Sequence, residues 1–137
     1  NKNDKVNIGE ECADICFYVV NTFTFLNENI YYEPMSVDID YKNTLLKLYK
    51  TTSFLADDIK KSVAYKKILN TFAVQFHLLN IVGLINVILK NYNIKLETIL
   101  QNNVDKLLVR YPLEEGFSEE RANNRDLDKG YKELWKN

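Results

Sequence analysis

The stretch ILNTFAVQFHLLNIVGLINVIL, residues 68–89, constrains this chain more than any other. An apolar run of that length is a helix that either spans a bilayer or fills the centre of a fold. It carries Asn70, Gln75, His77, Asn80 and Asn86, and a lipid-facing segment does not carry so many polar groups. A core helix is therefore predicted, with no membrane as partner. Such a helix needs other helices to cover it.

The rest of the chain supplies them. Two prolines and four glycines are few breakers for 137 residues, which favours long helices over strands and turns. Apolar residues recur at spacings of three and four in a first helix over about residues 8–26, through Cys12, Ile15, Cys16, Val19, Phe23 and Leu26. A second, over about 41–61, uses Leu45, Leu48, Thr52, Leu55 and Ile59. The core helix extends over about 65–91. A fourth, over about 95–110, uses Leu96, Ile99, Leu100, Val104, Leu107 and Leu108, and Pro112 ends it by disfavouring helical geometry at Tyr111. Ser118 before Glu119 and Glu120 reads as the N-cap of a short helix. Pro34 marks residues 27–40 as a loop, and Leu127, Tyr131, Leu134 and Trp135 are the apolar residues of a polar tail. The predicted fold is an all-α antiparallel helical bundle, one domain over residues 1–137. Residues 1–117 form the bundle, and 118–137 a short helix and C-terminal tail.

Charge and cysteine content narrow the function classes. Eighteen basic and nineteen acidic residues give a net charge of -1 with no basic stripe, so nothing marks a nucleic-acid partner. Cys12 and Cys16 lie one helical turn apart, which is neither a zinc spacing nor a redox Cys-x-x-Cys motif. They read as small core side chains in a reducing compartment. With residues 1–7 polar and no secretory signal, a cytoplasmic location is expected.

The first helix also holds two carboxylates. Glu11 and Asp14 are three residues apart and point the same way from a largely apolar helix. Near a helix N-terminus, acids also favour the dipole as ordinary solvated groups. A degenerate internal duplication accompanies them: ADICFYVVNTFTFLNENI and HLLNIVGLINVILKNYNI are both apolar helices ending in Asn-x-Asn-Ile. Aligned on Ile30 and Ile94, Glu11 and Asp14 fall opposite Gln75 and Leu78, so the second copy lacks both acids. His77, alone among apolar neighbours, reads as structural. Asn80 and Asn86 read as groups that bond across a helix interface, and Asp58 as facing solvent.

GEECADICFYVVNTFTFL resembles the Glu-Glu-x-x-Asp helix of the all-α nucleoside triphosphate pyrophosphohydrolases, the MazG-like and dimeric dUTPase-like enzymes, through Glu10, Glu11 and Asp14. NYNIKLETILQNNVDKLLVRYP is similar to the following segment of that family, which ends in Lys/Arg-Tyr-Pro. EGFSEERANNR and NNRDLDKGYKELW resemble its Gly-Phe-Ser stretch and its terminal Gly-Tyr-Lys. These pieces cover about half of the chain, in the family's order. The resemblance implies cleavage of a (d)NTP into monophosphate and pyrophosphate by metal-activated water. Glu11 and Asp14 would be the Mg²⁺ ligands and catalytic carboxylates. Arg121, Arg125, Lys129 and Tyr131 would contact the phosphates and nucleotide, Glu10 would be a bystander, and the protein would be a dimer or tetramer.

The family also carries a Glu-x-x-Glu helix before this motif, and the sequence in hand begins at Asn1. The internal counterpart of that helix, residues 41–61, has Lys50, Thr51 and Phe54 where the acids belong. The tail spacing from Arg125 to Gly130 differs from the dUTPase pattern by one residue. A non-catalytic oligomerisation or nucleotide-sensing module of the same fold is therefore the alternative.

Overall fold

A computed structural model describes residues 2–26 and 40–124, and all of the regular structure within them is helical. Helix α1 spans Lys2–Phe25, α2 Tyr41–Tyr65, α3 Thr71–Asn91, α4 Leu96–Arg110 and α5 Glu119–Asn123. Helix α3 packs against α2 and against α1, and α4 packs on α1. The all-α expectation holds. The loop over residues 27–39 and the tail beyond residue 124 lie outside the described residues.

Local chemistry sets several of the helix ends. The Asp40 carboxylate caps α2 by accepting from the Asn43 backbone N–H at 3.1 Å, and the Asn43 side chain donates to the same carboxylate. Asn70 caps α3 in the same way through the Ala73 N–H at 3.1 Å. At the far end of α3, Asn93 turns left-handed at φ 55°, Ile94 N–H donates to Leu89 C=O and Asn93 N–H to Lys90 C=O. Those two bonds and that φ make a Schellman cap, with Ile94 and Leu89 both packed in the core. Ser118 caps α5, as the sequence predicts.

Two boundaries differ from the expected ones. Helix α1 starts at Lys2 rather than Ile8, because its polar first turns carry no apolar stripe to reveal them. Residues 65–70 are not the start of the core helix. Helix α2 runs on to Tyr65, Lys66 turns left-handed at φ 55°, and Asn70 restarts the chain. No glycine or proline marks that turn.

The core joins Cys12, Ala13, Cys16, Val19 and Phe23 of α1 to Val74, Leu78, Ile81, Ile85, Ile88 and Leu89 of α3 and Leu96 and Ile99 of α4. The second half of α3 is buried on nearly every side, which explains its lack of an amphipathic face. Ile15 is 38% exposed, so it leaves the predicted stripe and Ala13 takes its place. The two cysteines are buried free thiols. Burial pushes Cys12 up to about 11, with help from the nearby Glu11 charge, and pushes Cys16 up to about 12.

Helices α2 and α3 run antiparallel. The Tyr41 and Tyr92 hydroxyls bond at 2.9 Å at one end, and nearer the other the Asp58 carboxylate meets His77 Nε2 at 3.6 Å. Asp58 therefore turns toward α3 instead of facing solvent. His77 also stacks on Phe54, with ring centroids 6.0 Å apart. Asn80 donates to Phe76 C=O of its own helix at 2.7 Å, a bond within α3 where one between helices was expected.

Candidate functional site

The acidic flank of α1 meets α4. Glu11 is exposed, Glu10 is half-buried, and the Asp14 side chain is 47% exposed at the edge of the helix interface. Opposite Asp14, α4 presents Asn103 and Lys106, both buried. Asn103 Nδ2 donates to Asp14 Oδ1 at 2.8 Å, and Lys106 Nζ donates to the same oxygen at 3.0 Å. A carboxylate, an amide and an ammonium from two helices thus close into one polar cluster.

The backbone pattern of α4 produces that cluster. Its inward row is Leu96, Ile99, Asn103 and Lys106, at steps of three, four and three. The first two members enter the apolar core and the last two lie against the acidic part of α1. Burying an ammonium and an amide is costly without partners, and Asp14 supplies both with one oxygen. The Lys106 side chain, 11% exposed, ends on the Asp14 carboxylate inside the interface.

Sequence reasoning missed Asn103 and Lys106. It followed the apolar residues Leu100, Val104, Leu107 and Leu108, yet Val104 and Leu108 are 49% and 42% exposed. The usable signal was that Asn103 and Lys106 continue the period of Leu96 and Ile99 in a chain with an acid on a facing apolar helix.

The other site candidates are distributed differently. Arg121 lies on α5, where its guanidinium is engaged by Glu115 from the preceding turn. Between α4 and α5, the Tyr111 and Phe117 rings stack with centroids 5.4 Å apart. Arg125, Lys129 and Tyr131 lie outside the described residues. On α2, Asp57 is held by Lys60 at 2.7 Å and Lys61 at 2.6 Å, which lowers its carboxyl to about 2.

Among the described residues, no three or more His, Cys, Asp or Glu side chains gather as a complete protein-only metal cage. Glu11 and Asp14 are two hard oxygen donors one turn apart. That suits an ion such as Mg²⁺, which is usually held by one or two carboxylates and completes its octahedron with phosphate oxygens and water. Lys106 beside Asp14 adds a fixed positive charge of the kind that receives phosphate. Compared with known families, characterised proteins and solved structures, the chain matches none.

Proposed function

We propose that this chain is a Mg²⁺-dependent nucleoside triphosphate pyrophosphohydrolase whose working edge is the α1–α4 seam, yielding a (d)NMP and pyrophosphate. The observation that carries the reading is the cluster of Asp14, Asn103 and Lys106 one turn from exposed Glu11. A merely solvated acid would not be matched to two buried polar groups from another helix.

Each side chain has a role in this reading. Glu11 and Asp14 hold the metal, which when bound neutralises polyphosphate charge and acidifies a water. Asn103 fixes the rotamer of Asp14. Lys106 has three donors and spends one on Asp14 Oδ1, so its ammonium can also meet an incoming phosphate oxygen. Arg121 exchanges Glu115 for phosphate, and Arg125, Lys129 and Tyr131 contribute from the tail.

One observation favours a second reading, the non-catalytic oligomerisation or nucleotide-sensing module. Lys106 already neutralises Asp14, as a structural ion pair would. Pyrophosphate release from a panel of NTPs and dNTPs with Mg²⁺ separates the two. Catalysis requires turnover that falls at least roughly a hundredfold in Glu11→Gln and Asp14→Asn. Turnover unchanged in both variants removes their metal role, and no turnover of any nucleotide selects the module.

A further inference from the structure

Lys106 sits oddly for a phosphate-binding lysine, because its partner is the very carboxylate assigned to the metal. Its side chain is 11% exposed, and its Nζ lies 3.0 Å from Asp14 Oδ1. Asn103 Nδ2 donates to that same oxygen at 2.8 Å. Among the described residues both bonds to Asp14 fall on Oδ1, so Oδ2 is the oxygen left for a cation.

Charge decides what this arrangement accepts. Glu11, Asp14 and Lys106 together carry a single negative charge. A divalent ion entering alone would share Asp14 with a fixed ammonium, and like charges repel strongly in a partly desolvated seam. The ammonium cannot simply withdraw, since without a new partner it would be stranded between two helices. It lies one turn beyond buried Asn103 and two turns beyond the core residue Ile99, a row that α4 keeps pressed on α1. A polyphosphate resolves the conflict. Its oxygens give the ammonium a second anionic partner and offset the charge of the ion that accompanies it.

We infer that Lys106 is a resident counter-cation, which neutralises Asp14 until a polyphosphate arrives and makes the seam take a divalent ion with that polyphosphate in preference to the free ion. This role rests on the pyrophosphohydrolase reading and deepens it: the species recognised is the metal–polyphosphate complex, entering as one unit. The Lys106–Asp14 ion pair, which taken alone resembles a structural one, thereby becomes the device that selects the ligand. Asn103 holds the carboxylate in place while the ammonium changes partners.

Binding of Mn²⁺ alone, followed by loss of the free ion's electron paramagnetic resonance signal, probes the seam of the full chain without turnover. Lys106→Met removes the charge and should tighten Mn²⁺ by at least about tenfold over wild type. Lys106→Gln takes its place in every comparison if circular dichroism shows Lys106→Met to be unfolded. Asn103→Ala strips one donor from the same oxygen but leaves the ammonium, so it should not tighten Mn²⁺. The Mg²⁺ complex of inorganic tripolyphosphate, titrated by calorimetry, should rank the proteins the other way, with Lys106→Met binding at least about tenfold more weakly than wild type. Equal Mn²⁺ affinity in wild type and Lys106→Met overturns the inference, as does equal tightening by Asn103→Ala. Tripolyphosphate complex bound as well by Lys106→Met as by wild type overturns it too. If Mn²⁺ binding is then still lost in Glu11→Gln, the metal reading stands while this one falls. Neither Mn²⁺ nor the complex bound by any of the proteins removes both.

Discussion

Removing the carboxylate of Asp14 should destabilise the protein more than removing the ammonium of Lys106, although the two form one ion pair. The Lys106 side chain is 11% exposed and that of Asp14 is 47% exposed. Asp14→Ala therefore leaves a buried ammonium and the buried Asn103 amide without their shared acceptor. Breaking a fully buried pair costs ~3–5 kcal/mol, and discounting for the water that already reaches Asp14 brings the expected loss to about 2 kcal/mol. Lys106→Met keeps the apolar stem and leaves a carboxylate that can turn to solvent, for a loss below about 1 kcal/mol. In urea titrations followed by circular dichroism, with slopes of ~1–3 kcal/mol per molar, the first variant should lower the midpoint by about 1 M and the second by less than half of that. The double variant Asp14→Ala/Lys106→Met should recover part of the loss of Asp14→Ala, because no buried charge is then stranded. A Lys106→Met variant as unstable as Asp14→Ala, or a double variant with purely additive losses, would refute the reasoning.

Two other outcomes follow from the core and the helix ends. The unfolded thiols ionise near their ordinary 9.0, whereas Cys12 and Cys16 hold their protons to about 11 and about 12. Raised folded values mean that this contribution to stability is complete below pH 9 and is lost as pH climbs toward 11 and 12. Urea midpoints measured across that range should fall, and less so in a Cys12→Ala/Cys16→Ala variant. At the left-handed Asn93, glycine should raise stability by ~0.5–1 kcal/mol and valine should lower it by ~1–2 kcal/mol, read from the same titrations.

The sequence announced the all-α class because its apolar periods are long and breakers are few. Where it misled, two physical rules competed. In α4 the apolar row of Leu100, Val104 and Leu108 looked like the core face, but the facing acid Asp14 drew Asn103 and Lys106 inward instead. In α2 two adjacent rows both satisfy a three-four period. Reading along Leu45, Leu48, Thr52, Leu55 and Ile59 crossed from one to the other, and no local property says which of them α3 covers. The turn at residues 65–70 stayed hidden because its left-handed residue is lysine. Of the candidate site, Glu11 and Asp14 were legible as a pair, while the amide and ammonium that complete the cluster come from residues 89 and 92 positions further on. Only the packing of α4 on α1 reveals them.

The position of α2 also bears on what happens when the protein opens. Helix α3, with a mean hydropathy of 1.9 over an 18-residue window, is long and apolar enough to cross a membrane, and half of that window is buried in the fold. Helix α2 covers it through one seam of modest side chains, Thr44, Leu48, Thr51 and Leu55 among them. Peeling α2 away would uncover a ready-made greasy rod while α1 and α4 could stay docked. Such a half-open chain is a natural client for chaperones or for adsorption to lipid, and its lifetime is set by how firmly α2 is pinned. The Tyr41–Tyr92 hydroxyl bond at one end and the Asp58–His77 contact nearer the other are thus the polar latches that hold α2 over this apolar helix.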